Sequence, residues 1–476
     1  MRPLRRLVPG LLAGTLVLAG SATALAGDEP AARPRPGSAG IGDPYFPQDG
    51  NGGIDVRSYD VDIAYDFDRG RLEGRTRLRV RAIHDLSRFN LDLLLPVQQV
   101  RVAGRPARWT RPDRHELSIR PARPVLAGDV VTVVVRYAGR PGRIRWQGEQ
   151  NWLADPGEVV AMNQPHMAPW WFPANDHPRD KAHVDVSVTV PADKQVVGNG
   201  RLVSRRVHGR QATTRWRAAE PMAPYLAFFA AGRFQVDHGV HHGLPWYVAV
   251  SRRIPQPERS RAMDLMRRTS DVVRWTEQQL GPYPFSATGG LTTSLEPGFA
   301  LENQTRPTYP VMSGRGALAT VVHEVAHQWF GDSVAVRGWR DIWINEGAAT
   351  FMEARYAEAH GGMKAQRWME GTHALLADHD DFWAVPVDDP GAERIFSEPV
   401  YLRGGMAFQA LRTRIGERNF RTLLRTWLAD REGGHGSGAE LEQLAAEVSG
   451  ESLGGFFDAW LRAPRPPART AANGFA

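Results

Sequence analysis

The sequence predicts a β-rich N-terminal domain followed by a mainly α-helical one. Three observations carry that reading. Apolar residues recur every second position through the first half, the period lengthens to that of a helix after about residue 240, and Pro/Gly-rich stretches flank both parts. Composition agrees: 476 residues, 42% hydrophobic and 23% charged, are near the average for folded globular proteins and sufficient for two or three domains.

The segments follow in order. Residues 1–26 read as a signal peptide, with Arg2, Arg5 and Arg6 as the basic start, Leu11 to Ala26 as the apolar stretch and Ala24-Leu25-Ala26 as the cleavage site. That stretch, sixteen residues interrupted by glycine, is shorter than the roughly 20 apolar residues of a membrane span. The expectation is a secreted protein cleaved near Ala26, without stable membrane insertion. Residues 27–50 are rich in Pro, Gly and Ala and read as a linker.

Residues 51–238 carry strand signals. Leu78, Val80 and Ala82 alternate with Arg77, Arg79 and Arg81, and Val184, Val186, Val188 and Val190 alternate with Asp185, Ser187 and Thr189. Val130 to Tyr137 is more evenly apolar, as in a strand covered on both faces. Residues 239–464 carry helical patterns over 257–280, 316–330, 347–360, 404–415 and 438–448. Residues 465–476 form a short polar tail.

Absent residue types exclude whole chemistries. There is no cysteine, which removes disulfides, thiolate metal sites, iron–sulfur clusters and thiol nucleophiles. Of the net charge of +7, three units belong to Arg2, Arg5 and Arg6, which leaves +4. The remaining arginines are interspersed with acids, and no basic stripe or recognition motif points to nucleic acid.

The strongest chemical signal is His323-Glu324-Val325-Ala326-His327, an H-E-x-x-H pattern. On a helix, residues four apart share a face, so both imidazoles can grip one metal while Glu324 sits beside it as a proton acceptor. A chance match in 476 positions is on the order of 1 in 50. The flanking Leu318, Val321, Val322, Val325, Ala326, Trp329 and Phe330 predict a buried helix, where unpaired imidazoles are costly. A metal resolves that conflict.

Catalytic zinc commonly takes a carboxylate as third protein ligand. Glu346, separated from His327 by eighteen intervening residues and at the start of the next helical segment, is placed to supply it. The ligand set is therefore His323, His327 and Glu346, for one zinc ion per chain. Glu353 follows Glu346 by two helical turns on the same face, a position from which it can orient a ligand histidine or simply face solvent.

With these motifs in place the sequence resembles the aminopeptidase N family of gluzincin zinc metallopeptidases, which is related to leukotriene A4 hydrolase. Gly281-Pro282-Tyr283-Pro284-Phe285 is similar to the family's G-x-Y-P-F element. Phe299-Ala300-Leu301-Glu302-Asn303 lies where the family has G-x-M-E-N, and Tyr401-Leu402-Arg403-Gly404 resembles its Y-x-(K/R)-G segment. The stretch from Phe172-Pro173 to Lys181 also matches a family pattern.

The resemblance implies a saddle-like antiparallel N-terminal β-domain and a thermolysin-like catalytic domain, in a secreted bacterial short form. It implies that Glu302 binds the substrate's free α-amino group, with Gln164 as a second contact and Ala300 and Asn303 in the same substrate-binding element. Glu324 becomes the general base towards a zinc-activated water, and Tyr401 the donor to the developing oxyanion. The implied function is a zinc-dependent aminopeptidase acting on peptides with a free N-terminus.

Longer members continue into a helical domain that encloses the site, so the end of this sequence implies a more open one. Phe299 in place of glycine implies a reshaped first side-chain pocket. Two other functions fit the same residues: a zinc endopeptidase that does not select the N-terminus, and a peptide-binding protein without turnover. Oligomeric state is not legible in the sequence.

Overall fold

Strands begin where the alternation begins. The computed structural model describes residues 33–314 and 316–475, and the expected signal peptide of residues 1–26 lies outside them. An eight-stranded sheet runs in the order Arg201–His208, Gln211–Arg217, His183–Pro191, Ile54–Asp66, Arg71–Ala82, Val130–Gly139, Val97–Val102 and Arg105–Pro106. Its neighbours pair antiparallel, except that His183–Pro191 runs parallel to Ile54–Asp66.

Leu78, Val80 and Ala82 face the core at 0–1% exposure. The alternating arginines face outward onto carboxylates of the next strand, Arg81 on Asp55 at 2.8 Å and Arg77 on Asp60 at 3.5 Å. Such half-exposed pairs add little stability but fix which face is wet.

Val130–Gly139 departs from the two-faced burial expected of it. Val133, Val135 and Tyr137 are buried, but Val130 is 42% exposed and Arg136 is exposed. The reason is its register: Val134 and Thr132 lie opposite Arg77 and Arg79, whose side chains need solvent.

A second sheet, Trp152–Ala154, Val159–Ala161, Phe229–Gly232 and Gln195–Gly198, leads into a third of Phe234–His241, Leu244–Ser251, Thr288–Thr292 and Thr308–Tyr309. Val160, Met162, Val197, Phe228, Ala230, Phe234, Ala249, Leu291 and Leu301 pack between them as a small core. The third sheet thus straddles residue 238, where the β-domain was expected to end, and strand structure continues to Ser251.

The helical part follows as α1 (Glu258–Arg267), α2 (Thr269–Leu280), α3 (Gly316–His327), α4 (Trp343–Ala359), α5 (Ala365–Leu375), α6 (Asp380–Trp383), α7 (Glu398–Asp430) and α8 (Gly438–Ser449). Gly416, at φ 80° and ψ 154°, divides α7 into two arms, a backbone conformation that suits glycine. Ser437 and Glu440 start α8 with a reciprocal capping box. No described helix is long and apolar enough to cross a membrane.

The helices α4 and α7 touch backbone to backbone where Gly347 meets Gly404. A Cβ on Gly347 would lie 2.8 Å from the Gly404 carbonyl carbon. This contact fixes the neighbours of those glycines, Glu346 on one helix and Tyr401 on the other.

Two stretches expected to lie outside the domains are packed into them. Within the segment read as a linker, Asp43 is buried and accepts hydrogen bonds from His177 Nε2 (3.1 Å) and the Trp339 amide (3.0 Å). Asp49 accepts one from His166 Nε2 at 2.8 Å. The Pro/Gly-rich composition here serves a tight strap across both domains rather than a spacer. At the other end, Phe475 packs edge-on to His373 at 4.9 Å between ring centroids, and Trp460 donates to the Asn473 carbonyl at 3.1 Å. The tail is therefore a packed segment.

Candidate active site

Helix α3 carries Val321, Val322, Val325 and Ala326 at 0–1% exposure, apolar nearly all round because other elements surround it. His323 and His327 leave this helix on one face, towards Glu346 in the first turn of α4. His323 Nδ1 donates to Glu353 Oε1 at 2.7 Å and His327 Nδ1 to the Phe330 carbonyl at 3.0 Å. Glu353, partly exposed, thus hydrogen-bonds the imidazole of His323. With each Nδ1 committed, both Nε2 atoms point at the same oxygen, Glu346 Oε2, at 3.3 Å each.

These distances fit a metal. A tetrahedral zinc with arms of about 2.0–2.1 Å sets its donors about 3.3–3.4 Å apart. The three donor atoms all lie within 4.8 Å of one another, and among the described residues no Lys or Arg pairs with Glu346. Electrostatics agree. Burial alone raises Glu346, but the His327 and His323 imidazoles outweigh it and hold the carboxyl down to about 2. Burial lowers His327, but the charge and hydrogen bond of Glu346 lift it to about 9. The cluster attracts positive charge, and zinc is the ion these donors suit.

Glu324, 5% exposed, lies beside the donors. Burial pushes its carboxyl up to about 8 against the pull of His323 and His327, and a metal cation beside it would add to that pull and favour the carboxylate. Tyr401, from the first arm of α7, lies with its ring 6.0 Å from that of His323. Burial and the carboxylates of Glu346, Glu302 and Glu324 raise its phenol well above the ordinary value. It remains a hydrogen-bond donor.

The loop after Thr288–Thr292 supplies Glu302, 2% exposed. Its Oε1 accepts from Gln164 Nε2 at 3.0 Å and from the Tyr225 hydroxyl at 3.1 Å. Gln328, next to His327, ties this loop to α3. Its amide donates to the Glu302 carbonyl at 3.0 Å and its oxygen accepts from the Thr305 amide at 2.7 Å.

Gln164, Phe299, Ala300, Glu302, Glu324, the three metal-type donors, Glu353 and Tyr401 line one cavity of about 420 Å³, with Thr320 and Phe396. Asn303 does not line it. Its amide turns inward to the Leu226 carbonyl at 3.3 Å, so it braces the loop instead of meeting a ligand. A larger groove of about 910 Å³ lies beside the Arg201–His208 edge strand. It shares no residue with the site and holds no metal-type donor cluster.

Sequence reasoning missed Tyr225, Gln328 and Phe396. Tyr225 and Phe396 lie in stretches with no motif, and Gln328 follows the H-E-x-x-H pattern without belonging to it. Trp170 and Trp171 are fully buried core and do not line the cavity.

Residues 290–460 match the peptidase family M1 domain. A crystal structure of an M1 zinc metallopeptidase mutant from Deinococcus radiodurans bound to a Tyr-Ser-Ala substrate is 27% identical, with a TM-score of 0.80 over 90% of this chain and 98% of that one. A crystal structure of M1 zinc metallopeptidase from Deinococcus radiodurans is 27% identical, with a TM-score of 0.78 over 90% of this chain and 100% of that one. Among sequence relatives, an aminopeptidase N of Lactococcus lactis is 26% identical over 72% of this chain and 44% of its own length. The tricorn protease-interacting factor F2 of Thermoplasma acidophilum is 23% identical over 62% and 40%. The chain therefore spans less than half the length of these two relatives.

Proposed function

We propose that this chain, a zinc metallopeptidase of the M1 aminopeptidase family, removes N-terminal residues from peptides. The observation that carries the reading is Glu302. Its carboxylate is buried beside the metal donors, and its Oε1 is held only by a neutral amide and a phenol. A buried carboxylate without a cation is costly, and a substrate's α-ammonium in the cavity supplies that cation. Relatives support this: two-domain M1 zinc metallopeptidase mutants have been solved with L-tryptophan and with L-arginine bound.

His323, His327 and Glu346 would hold a zinc ion, which when bound would supply a Lewis acid to polarise the scissile carbonyl and acidify a water molecule. Glu302 and Gln164 fix the α-amino group, which sets the first peptide bond over the donors. Glu324 takes a proton from the attacking water on a carboxylate oxygen and passes it to the leaving amine. The Tyr401 hydroxyl donates to the carbonyl oxygen as it gains charge. Phe299, Ala300 and Phe396 form the apolar wall that the first side chain meets.

Glu302→Gln tests the assignment, since it keeps the shape and removes the charge. On aminoacyl p-nitroanilides it lowers kcat/KM by at least about tenfold, as for a lost charged hydrogen bond worth roughly 1.5–3 kcal/mol. On N-acetylated peptides it changes nothing. Equal loss on blocked and free substrates contradicts N-terminal selection and favours an endopeptidase. The reading includes export, supported by Arg2, Arg5 and Arg6 ahead of the apolar Leu11–Ala26 stretch. An intact mass beginning after Ala26, in protein from the culture medium, is the expected result.

A further inference from the structure

The β-domain buries a second group of metal-type donors that shares no residue with the first. We propose that Asp92, His115 and Glu116 bind a structural divalent transition-metal ion.

Asp92 ends the strand Leu86–Asp92 and lies directly opposite Glu116, the first residue of Glu116–Arg120. Like charges facing each other across a strand pair are destabilising, and here both are buried, at 0% and 2% exposure. His115 joins them at 1% exposure, with Nδ1 3.7 Å from Asp92 Oδ1. One donor atom from each residue falls within 4.8 Å of the others.

The second observation is what these atoms lack. Neither ring nitrogen of His115 has a hydrogen-bond partner among the described residues, and neither does Glu116 Oε1. A buried imidazole with both nitrogens idle is rare, because each is a strong donor or acceptor. Trp146 stacks flat on the ring at 4.2 Å and closes it off on that side. Asp92 is meanwhile oriented by the Asn51 amide on Oδ1 (3.0 Å) and the Asp176 backbone amide on Oδ2 (2.7 Å). Each oxygen keeps a lone pair for a ligand, the arrangement that supports metal-binding carboxylates.

Arg88 is the cation facing Glu116, yet it makes no ion pair with it among the described residues. Without an ion, two buried carboxyl groups face each other across the strand pair beside an unpartnered imidazole, and a divalent ion would bind all three. One imidazole with two carboxylates suits zinc or manganese better than calcium or magnesium.

The ion would stiffen the joint between domains. Asp92 holds the Asp176 amide, and the segment beyond it reaches the helical part. There Arg179 donates to the Arg337 carbonyl at 2.8 Å, and Lys181 to the carbonyls of Asp332 and Ser333 at 2.6 Å each.

The test counts ions per chain by mass spectrometry of the full-length protein, equilibrated with zinc or manganese chloride and desalted. Wild type should retain two ions. The His323→Ala/Glu346→Gln double variant, stripped of the first site, should retain one and melt at lower temperature when chelator is added. Adding His115→Gln should remove that last ion. No ion and no chelator effect in the double variant overturns the proposal without relying on any change at the cluster. An ion that survives His115→Gln overturns it too.

Discussion

Glu353 and Tyr401 divide the labour around His323, one fixing its Nδ1 and the other stacking near its ring. Their loss should differ in kind. Glu353→Ala lets the imidazole turn and lowers zinc affinity by about 10–100-fold, read by competition with a chromogenic chelator, while kcat at saturating zinc changes less. Tyr401→Phe leaves zinc affinity alone and lowers kcat by about 10²–10³, as for loss of one oxyanion donor, with KM near wild type. A Tyr401→Phe enzyme with normal kcat removes the tyrosine from the reaction. At this scale the sequence was legible where chemistry imposes spacing: His323 and His327 one helical turn apart, Glu346 and Glu353 on one face. Tyr225 and Gln328 were not, because only the fold brings their side-chain polar atoms to Glu302 and its loop.

Helix α4 reaches α7 through bare backbone at Gly347 and Gly404, which places a metal-type donor beside the candidate oxyanion donor. Gly347→Ala puts a methyl group into the Gly404 backbone, where no side chain can yield. It should cost about 1–3 kcal/mol as overpacking, seen in urea melts, and reduce kcat by separating Tyr401 from Glu346. Unchanged stability would mean that the helices can part freely. Periodicity recovered α3 and α4 because each buries a dense apolar face, and α8 because Leu441, Leu444, Ala445 and Val448 keep the helical period. It missed α5, whose buried residues are only Ala365, Met369 and His373, too sparse for a pattern. It also missed the second arm of α7, although Phe420, Leu423, Leu424, Trp427 and Leu428 carry the period there. Strand Val130–Gly139 misled in the other direction, since valine content reports propensity and the facing arginines decide exposure.

Across the whole molecule, the strap of residues 35–50 is tied to the β-domain by the buried Asp43–His177 and Asp49–His166 pairs and to the helical part by the Trp339 amide on Asp43. Burial lowers His166, but Asp49 and Glu149 outweigh it and raise the imidazole to about 10. Its folded value lies above the unfolded one of about 6.5. Its stabilisation is therefore complete below pH 6.5 and lost as pH rises through 10. The stability gap between wild type and His166→Gln should be widest at pH 6 and shrink towards pH 10 in urea titrations, and a constant gap contradicts the ion pair. Composition concealed this strap, because Pro and Gly mark tight packed turns as readily as spacers. The order of a β-rich part before a helical one was legible throughout, since the period of hydrophobicity changes where the architecture does.

The most direct test of the account is hydrolysis of aminoacyl p-nitroanilides beside their N-acetylated counterparts, by wild type with and without a zinc chelator and by Glu324→Gln. The account predicts cleavage of the free-amine set alone, abolished by the chelator, restored by added zinc and absent in Glu324→Gln. Comparable cleavage of the acetylated set, or cleavage that survives chelation, would contradict it.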